Sequence, residues 1–304
     1  MSFELTILGS NSALPTANKF PTAQVLKLHE RFFLIDCGEG TQIQLRRYKF
    51  SFLKINHIFI SHLHGDHYYG IFGLLSTIGL LGRKEPLTIF GPKELKQILD
   101  FMLPFMQISF PVEFIPLHDD KVNLILETQT FEIFSFPLVH RVPTTGFLFR
   151  EKPKPLKVKK FYIDEYRIQV ADILSIKAGA DYTTPEGFII PNTQLTHIPA
   201  PLLSYAFCSD TAFDPRIADY AKNVTLMYHE STFLEEDKGL ATTTKHSTAK
   251  DAASIAQMAG VKKLAIGHFS TRYPDYALFL KEAQKVFRET LAATEGMTID
   301  VATL

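Results

Sequence analysis

His62-Leu63-His64-Gly65-Asp66-His67 packs three imidazoles and a carboxylate into six residues, directly after the apolar run His57-Ile58-Phe59-Ile60. The run reads as a buried strand, so the cluster falls where a strand ends and a loop begins. In extended backbone, residues two apart point to the same side, which lets His62 and His64 share one metal ion. Asp66 and His67 follow the glycine, where the chain can turn and carry them towards a second ion. Imidazole and carboxylate suit zinc, and a site without thiolate suits hydrolysis better than a closed structural site. Several unpaired imidazoles crowded together would be costly to bury without a metal.

Outward from this cluster, the chain alternates short apolar runs with helical patterns. Phe3–Leu8, Ala23–Leu28, Arg31–Ile35, Leu87–Phe90, Val112–Ile115, Lys121–Leu126, Phe131–Phe136, Gly146–Phe149, Tyr205–Cys208, Val224–Tyr228 and Leu264–Ile266 read as strands. Glu39–Tyr48, Asp66–Leu81, Thr248–Ala259 and Ala277–Leu291 read as helices, and so does Pro92–Met102, with proline at its first position. This order predicts an α/β layered sandwich, two sheets packed together with helices outside. Residues 1–304 are taken as a single domain, interrupted by an inserted arm at residues 151–201. The arm opens with Lys152, Lys154, Lys157, Lys159 and Lys160, five lysines in nine residues with two prolines, a composition unlike a core layer.

Hydrophobic residues make up 46% of the 304 and charged residues 21%, ordinary for a globular protein. Neither a signal peptide nor a bilayer-spanning run is visible. Two cysteines, Cys37 and Cys208, make a disulfide framework improbable and fit a cytoplasmic location. With 32 basic and 32 acidic residues the net charge is zero, so a nucleic-acid partner must be held by local patches such as the lysine run.

Two-metal hydrolysis needs further ligands. His140, Asp210 and His268 each lie just past an apolar strand, where groups of an active site tend to collect on packed sheets.

The His-x-His-x-Asp-His signature with the later His, Asp and His resembles the metallo-β-lactamase superfamily. That resemblance implies an αβ/βα four-layer sandwich with two zinc ions at one edge. It puts His62, His64 and His140 on one ion and Asp66, His67 and His268 on the other, with Asp210 bridging. Within the superfamily the chain resembles the ribonuclease Z family, which trims 3′ trailers from tRNA precursors. The motifs are Gly9-Ser10-Asn11-Ser12-Ala13-Leu14-Pro15-Thr16, Asp36-Cys37-Gly38-Glu39-Gly40-Thr41-Gln42 and Ser209-Asp210-Thr211, together with His229-Glu230-Ser231-Thr232 and His246-Ser247-Thr248. The last two are the more specific.

Breaking a phosphodiester needs a nucleophile and a group that protonates the leaving oxygen. The resemblance implies metal-activated water for the first, with Asp66 accepting its proton. His246, just before a helix, suits the second, and Glu230 is the carboxylate that would keep it oriented and protonated. His229 is read as structural. The family's arm grips tRNA, usually from the other subunit of a homodimer, so the five lysines would contact phosphates of precursor tRNA. The alternative is another hydrolase of the superfamily, acting on a small phosphodiester, thioester or lactone. It would need the ligands but neither His246, Glu230 nor the lysines. A non-catalytic RNA-binding subunit would be expected to lose ligands, and a redox di-iron protein to carry more carboxylates.

Overall fold

The computed structural model describes residues 2–304. Sixteen strands are formed: β1 Phe3–Gly9, β2 Ala23–Leu28, β3 Arg31–Ile35, β4 Ile55–Phe59, β5 Leu87–Pro92, β6 Val112–Leu117, β7 Asn123–Glu127, β8 Phe131–Leu138, β9 Thr144–Glu151, β10 Tyr182–Thr183, β11 Ile189–Ile190, β12 Ser204–Cys208, β13 Leu226–Glu230, β14 Lys263–Gly267, β15 Thr290–Ala292 and β16 Thr298–Asp300. Two sheets of seven strands have the orders β16-β1-β2-β3-β4-β5-β6 and β15-β14-β13-β12-β9-β8-β7. In the first, β3 to β6 run parallel, and in the second β12 to β15 do. The strands entering each parallel half run antiparallel.

The alternation of side chains along these strands builds the layers. Phe33, Phe59, Phe147, Phe149 and Phe207 are fully buried, and Phe59 meets Phe147 and Phe149 with ring centroids 5.3 and 5.5 Å apart, so aromatic rings fill the space between the sheets. On the outer face of the first sheet, Leu34, Ile58 and Ile89 pack with Ile71, Leu74, Leu75 and Ile78 of the helix Gly70–Leu80. On the outer face of the second, Ala252, Ile255, Ala256 and Ala259 of the helix Ala249–Ala259 meet Met227, Leu264 and Ile266. Burial on both faces explains why the central parallel strands β5, β12, β13 and β14 read as apolar runs. The architecture is the expected α/β four-layer sandwich.

Three expectations are corrected. Pro92 does not open a helix: β5 runs through Gly91 and Pro92, paired with Pro116 and Leu117, and the helix begins at Leu95. The helix from Ala277 stops at Gln284, because Thr290–Ala292 is claimed as an edge strand parallel to β14. The helix read over Asp66–Leu81 divides into Gly65–Tyr68 and Gly70–Leu80. Gly70 backs onto the Gly38 carbonyl so closely that a Cβ there would lie 2.1 Å from its oxygen.

By contacts the chain forms two compact units. The larger comprises the residues up to Glu127, then Glu132–Arg150 and Leu203–Leu304. The smaller, Thr128–Phe131 and Glu151–Leu202, buries its own small core of Val158, Ile168, Ile176, Tyr182, Ile190 and Leu195. Two helices, Lys160–Glu165 and Val170–Lys177, and the β10–β11 pair supply that core. Cys37 and Cys208 are both buried and free, and burial pushes the Cys37 thiol up to about 12. Among the described residues, no helix is long and apolar enough to cross a membrane.

Candidate metal centre

Every candidate ligand sits at or just past the C-terminal end of a strand, on one edge of the sandwich. β4 is followed by His62, His64, Asp66 and His67, β8 by His140, β12 by Asp210 and β14 by His268. Seven donors therefore converge although the chain separates them by as many as 206 positions, from residue 62 to residue 268. They form two groups, His62, His64, His140 and Asp210, and Asp66, His67 and His268.

In the first group, His64 Nδ1 lies 3.1 Å from His62 Nε2 and 3.2 Å from His140 Nε2. Asp210 Oδ2 is 3.5 Å from His62 Nε2 and 3.8 Å from His140 Nε2. In the second, Asp66 Oδ2 is 3.5 Å from His67 Nε2 and 3.4 Å from His268 Nε2, and those two nitrogens are 3.4 Å apart. Asp210 Oδ1 completes it, 3.4 Å from His67 Nε2 and 3.3 Å from His268 Nε2. Donors held tetrahedrally at bonds of about 2.0–2.1 Å lie about 3.3–3.4 Å from one another. The spacing thus fits a divalent ion in each group, with one Asp210 oxygen facing each.

The fit has independent support. Asp210 Oδ1 is buried without a hydrogen-bond donor among the described residues, an orphaned acceptor that a cation would satisfy. Burial drives His62 and His140 towards the neutral, ligating form, His140 to about 4. Burial also disfavours the Asp210 carboxylate, but His268, His67 and His62 outweigh it and hold the group ionised. His67 is the exception: three carboxylates, Asp210, Asp66 and Asp36, overcome its burial and raise it, which marks a position that calls for positive charge.

The far nitrogen of four imidazoles is anchored, which fixes tautomer and ring orientation. His62 Nδ1 donates to Ser61 Oγ at 3.0 Å, His67 Nδ1 to Asp36 Oδ2 at 2.7 Å, His140 Nδ1 to the Lys245 carbonyl at 2.8 Å, and His268 Nδ1 to Thr232 Oγ1 at 2.8 Å. Reading the sequence assigned no role to any of these four partners. Asp36 and Thr232 stand in motifs that carry the family resemblance, while Ser61 and the Lys245 carbonyl had no signal in the sequence. Four non-glycine residues at the site, Ala13, Asp36, Lys245 and His268, hold left-handed backbone with φ of 54° to 60°, strain that clusters at functional sites. Asp36 also accepts from the Ser61 amide at 2.8 Å and the Ser61 hydroxyl at 2.9 Å, so it braces two ligand loops. Asp36→Ala is expected to weaken metal affinity about 10- to 100-fold. Competition with a chromogenic chelator measures this, and unchanged affinity would remove Asp36 from the design.

At the rim lies His246, with its side chain 10% exposed. Its Nδ1 donates to Glu230 Oε1 at 2.8 Å. The Glu230 carboxylate is fully buried and also accepts from the amides of Thr211, Thr232 and Ser247 and from the Thr232 hydroxyl. Burial pulls His246 down, but Glu230 and then Asp210 outweigh it and raise it to about 9. Thr232 joins His268 to Glu230, so ligand and rim histidine lean on one carboxylate. His229 is buried on β13, its Nδ1 bonded to the Glu230 carbonyl, and does not reach the cluster.

The five lysines belong to the smaller unit. The Lys152 ammonium donates to the Thr128 carbonyl, Lys159 to that of Gln194, and Lys154 pairs with Glu151 at 3.5 Å. Lys157 and Lys160 are exposed.

The chain is similar to several known proteins. A family model described as the anti-Pycsar protein Apyc1 matches residues 3–103, the stretch carrying the first histidine cluster. The chain is 46% identical over 301 residues to a ribonuclease Z of Bacteroides fragilis, covering 98% of this chain and 99% of that one. A ribonuclease Z of Parabacteroides distasonis is 45% identical over 304 residues, again with 98% and 99% covered. Among solved structures, the short form of human tRNase Z superposes with a TM-score of 0.70 at 24% identity, covering 98% of this chain and 99% of that one. The metallo-β-lactamase fold protein YhfI from Bacillus subtilis gives 0.71 at 17% identity, covering 99% and 100%. At these identities the two structures speak for the fold.

Proposed function

The chain belongs to the ribonuclease Z family, and from that premise we propose how its residues divide the work. It is a tRNA 3′-processing endoribonuclease, a phosphodiester hydrolase that depends on a divalent metal. We read the metal as zinc, two ions per chain, one held by His62, His64 and His140, the other by Asp66, His67 and His268, with Asp210 between them. The nitrogen and oxygen donor set and the tetrahedral spacing support zinc. Bound there, the two ions supply Lewis acidity, lowering the pKa of water and offsetting charge on the phosphoryl oxygens.

The protein's own groups do the rest. The site contacts of Asp66 run through Oδ2, leaving its other oxygen to take a proton from the attacking water. His246, held protonated by Glu230, carries a proton at Nε2 for the departing 3′-oxygen. The products are a 3′-hydroxyl on the tRNA and a 5′-phosphate on the trailer. The observation that carries this reading is the pairing of two ligand groups sharing Asp210 with a Glu230-held imidazole at their rim. Titration of the metal-free protein with zinc tests it. Cleavage of a 3′-extended tRNA should rise to a plateau at two equivalents, and full activity at one would overturn the two-ion reading.

We place the enzyme in the cytoplasm, where precursor tRNA is processed, and read it as a homodimer. Exposed Leu80, Phe101 and Phe105 on the larger unit offer apolar surface for such an association. The lysine arm contacts tRNA phosphates. Since three of its lysines have partners nearby, Lys157 and Lys160 carry most of that contact. Replacing both by alanine should make the log–log salt slope of tRNA binding shallower by about 1.5, the equivalent of two phosphates. A filter-binding series across salt concentrations would show it, and an unchanged slope removes these lysines from the interface.

A further inference from the structure

Beside the metal centre, on the Asp66 side, the larger unit holds a cavity of about 360 Å³ lined by Pro15, Phe20, Glu39, Gln42, Ile43 and Tyr69. Two of its walls are continuous with the site. Pro15 lies two residues past Ala13, whose amide donates to Asp66 Oδ2 at 2.9 Å. Tyr69 lies three residues past Asp66, and its ring covers the glycine of the histidine cluster: a Cβ at Gly65 would come within 2.3 Å of Tyr69 Cε2. Phe20 covers Gly40 in the same way, at 2.6 Å, and the Arg47 guanidinium stands 5.5 Å from its ring centre.

The lining combines exposed aromatic surface with polar groups that no other protein group engages among the described residues. Tyr69 is 60% exposed, although it is a large aromatic beside a charged cluster. Gln42 Oε1 accepts from the Thr77 hydroxyl at 3.0 Å, which pins the amide and leaves its Nε2 donor without a partner among the described residues. The Glu39 carboxylate is exposed and makes no ion pair among the described residues. A ring to stack on, one fixed donor and one acceptor are what the face and edge of an unpaired base require. The volume suits one planar ligand and excludes a duplex.

We propose that this cavity is a base-binding subsite. It takes the unpaired nucleobase of one nucleotide flanking the scissile phosphate, stacked on Tyr69, with Gln42 donating to its edge and Glu39 accepting from it. Holding that base fixes which phosphate lies over the metal centre. The inference rests on the nuclease reading above and adds a determinant of cleavage register.

The test uses the zinc-loaded full chain and three precursor tRNAs: one intact, and two with an abasic site at either nucleotide flanking the cut. Tyr69→Ala should lower kcat/KM on the intact precursor about 10- to 100-fold, the loss of one base stack. Tyr69→Phe, which keeps the ring, should restore most of it, with zinc content unchanged in both variants. With one of the two abasic substrates, wild type should lose a similar factor and Tyr69→Ala should lose nothing more. Losses that multiply at both positions, or no loss in Tyr69→Ala, would overturn the subsite while leaving the nuclease intact. Failure of the wild type on the intact precursor would overturn the nuclease reading, and the subsite with it.

Discussion

His246→Ala should leave two metal ions per chain in place and lower cleavage of precursor tRNA by about 10²- to 10⁴-fold, the usual contribution of a positioned proton donor. His246 stands outside the two proposed ligand sets, its Nδ1 3.9 Å from Asp210 Oδ2, so its removal should spare the metal. Its Nδ1 is committed to Glu230 at 2.8 Å, which leaves Nε2 as the only position from which a proton can be delivered. Glu230→Gln should reproduce much of the defect, because an amide no longer favours the protonated imidazole. Metal analysis beside single-turnover cleavage separates the two effects. Cleavage surviving in His246→Ala would assign the leaving-group proton elsewhere.

Asp210→Ala should fail differently. One oxygen of this carboxylate lies 3.5 Å from His62 Nε2 and the other 3.4 Å from His67 Nε2, so each ligand group loses a donor at once. Bound metal should fall below one ion per chain, and cleavage to assay background. Loss of a single ion, with the other retained at full affinity, would show that the carboxylate serves one group only. Together the two variants separate chemistry from metal retention, since the same activity loss comes with opposite metal contents.

The two sheets could be read from the chain because most strands are short apolar runs with clear borders, and β2 and β3 have the bounds expected of them. Strand-end position marked His62, His140, Asp210 and His268, whereas Asp66 and His67 stand in the helix Gly65–Tyr68 and joined the set through the histidine cluster and the family resemblance. What escaped was set by partners distant in sequence. Pro92 reads as a helix start until Pro116 and Leu117 pair beside it. Residues 290–292 read as helix until β14 recruits them as an edge strand. Asp36 is separated from His67 by 31 positions and Lys245 from His140 by 105, so a motif can single out Asp36 without showing which imidazole it anchors, and nothing local marks a backbone carbonyl. The pinned Gln42 amide beside Tyr69 was equally silent, because exposure of an aromatic ring is a property of the folded surface.

The most direct measurement is cleavage of a 3′-extended tRNA precursor by the zinc-loaded protein, with the product ends mapped chemically. A single cut after the discriminator base, leaving a 3′-hydroxyl on the tRNA and a 5′-phosphate on the trailer, is the expected result. A 2′,3′-cyclic phosphate, a ladder of shortened trailers, or turnover of small phosphodiesters without any cut in the tRNA would contradict it.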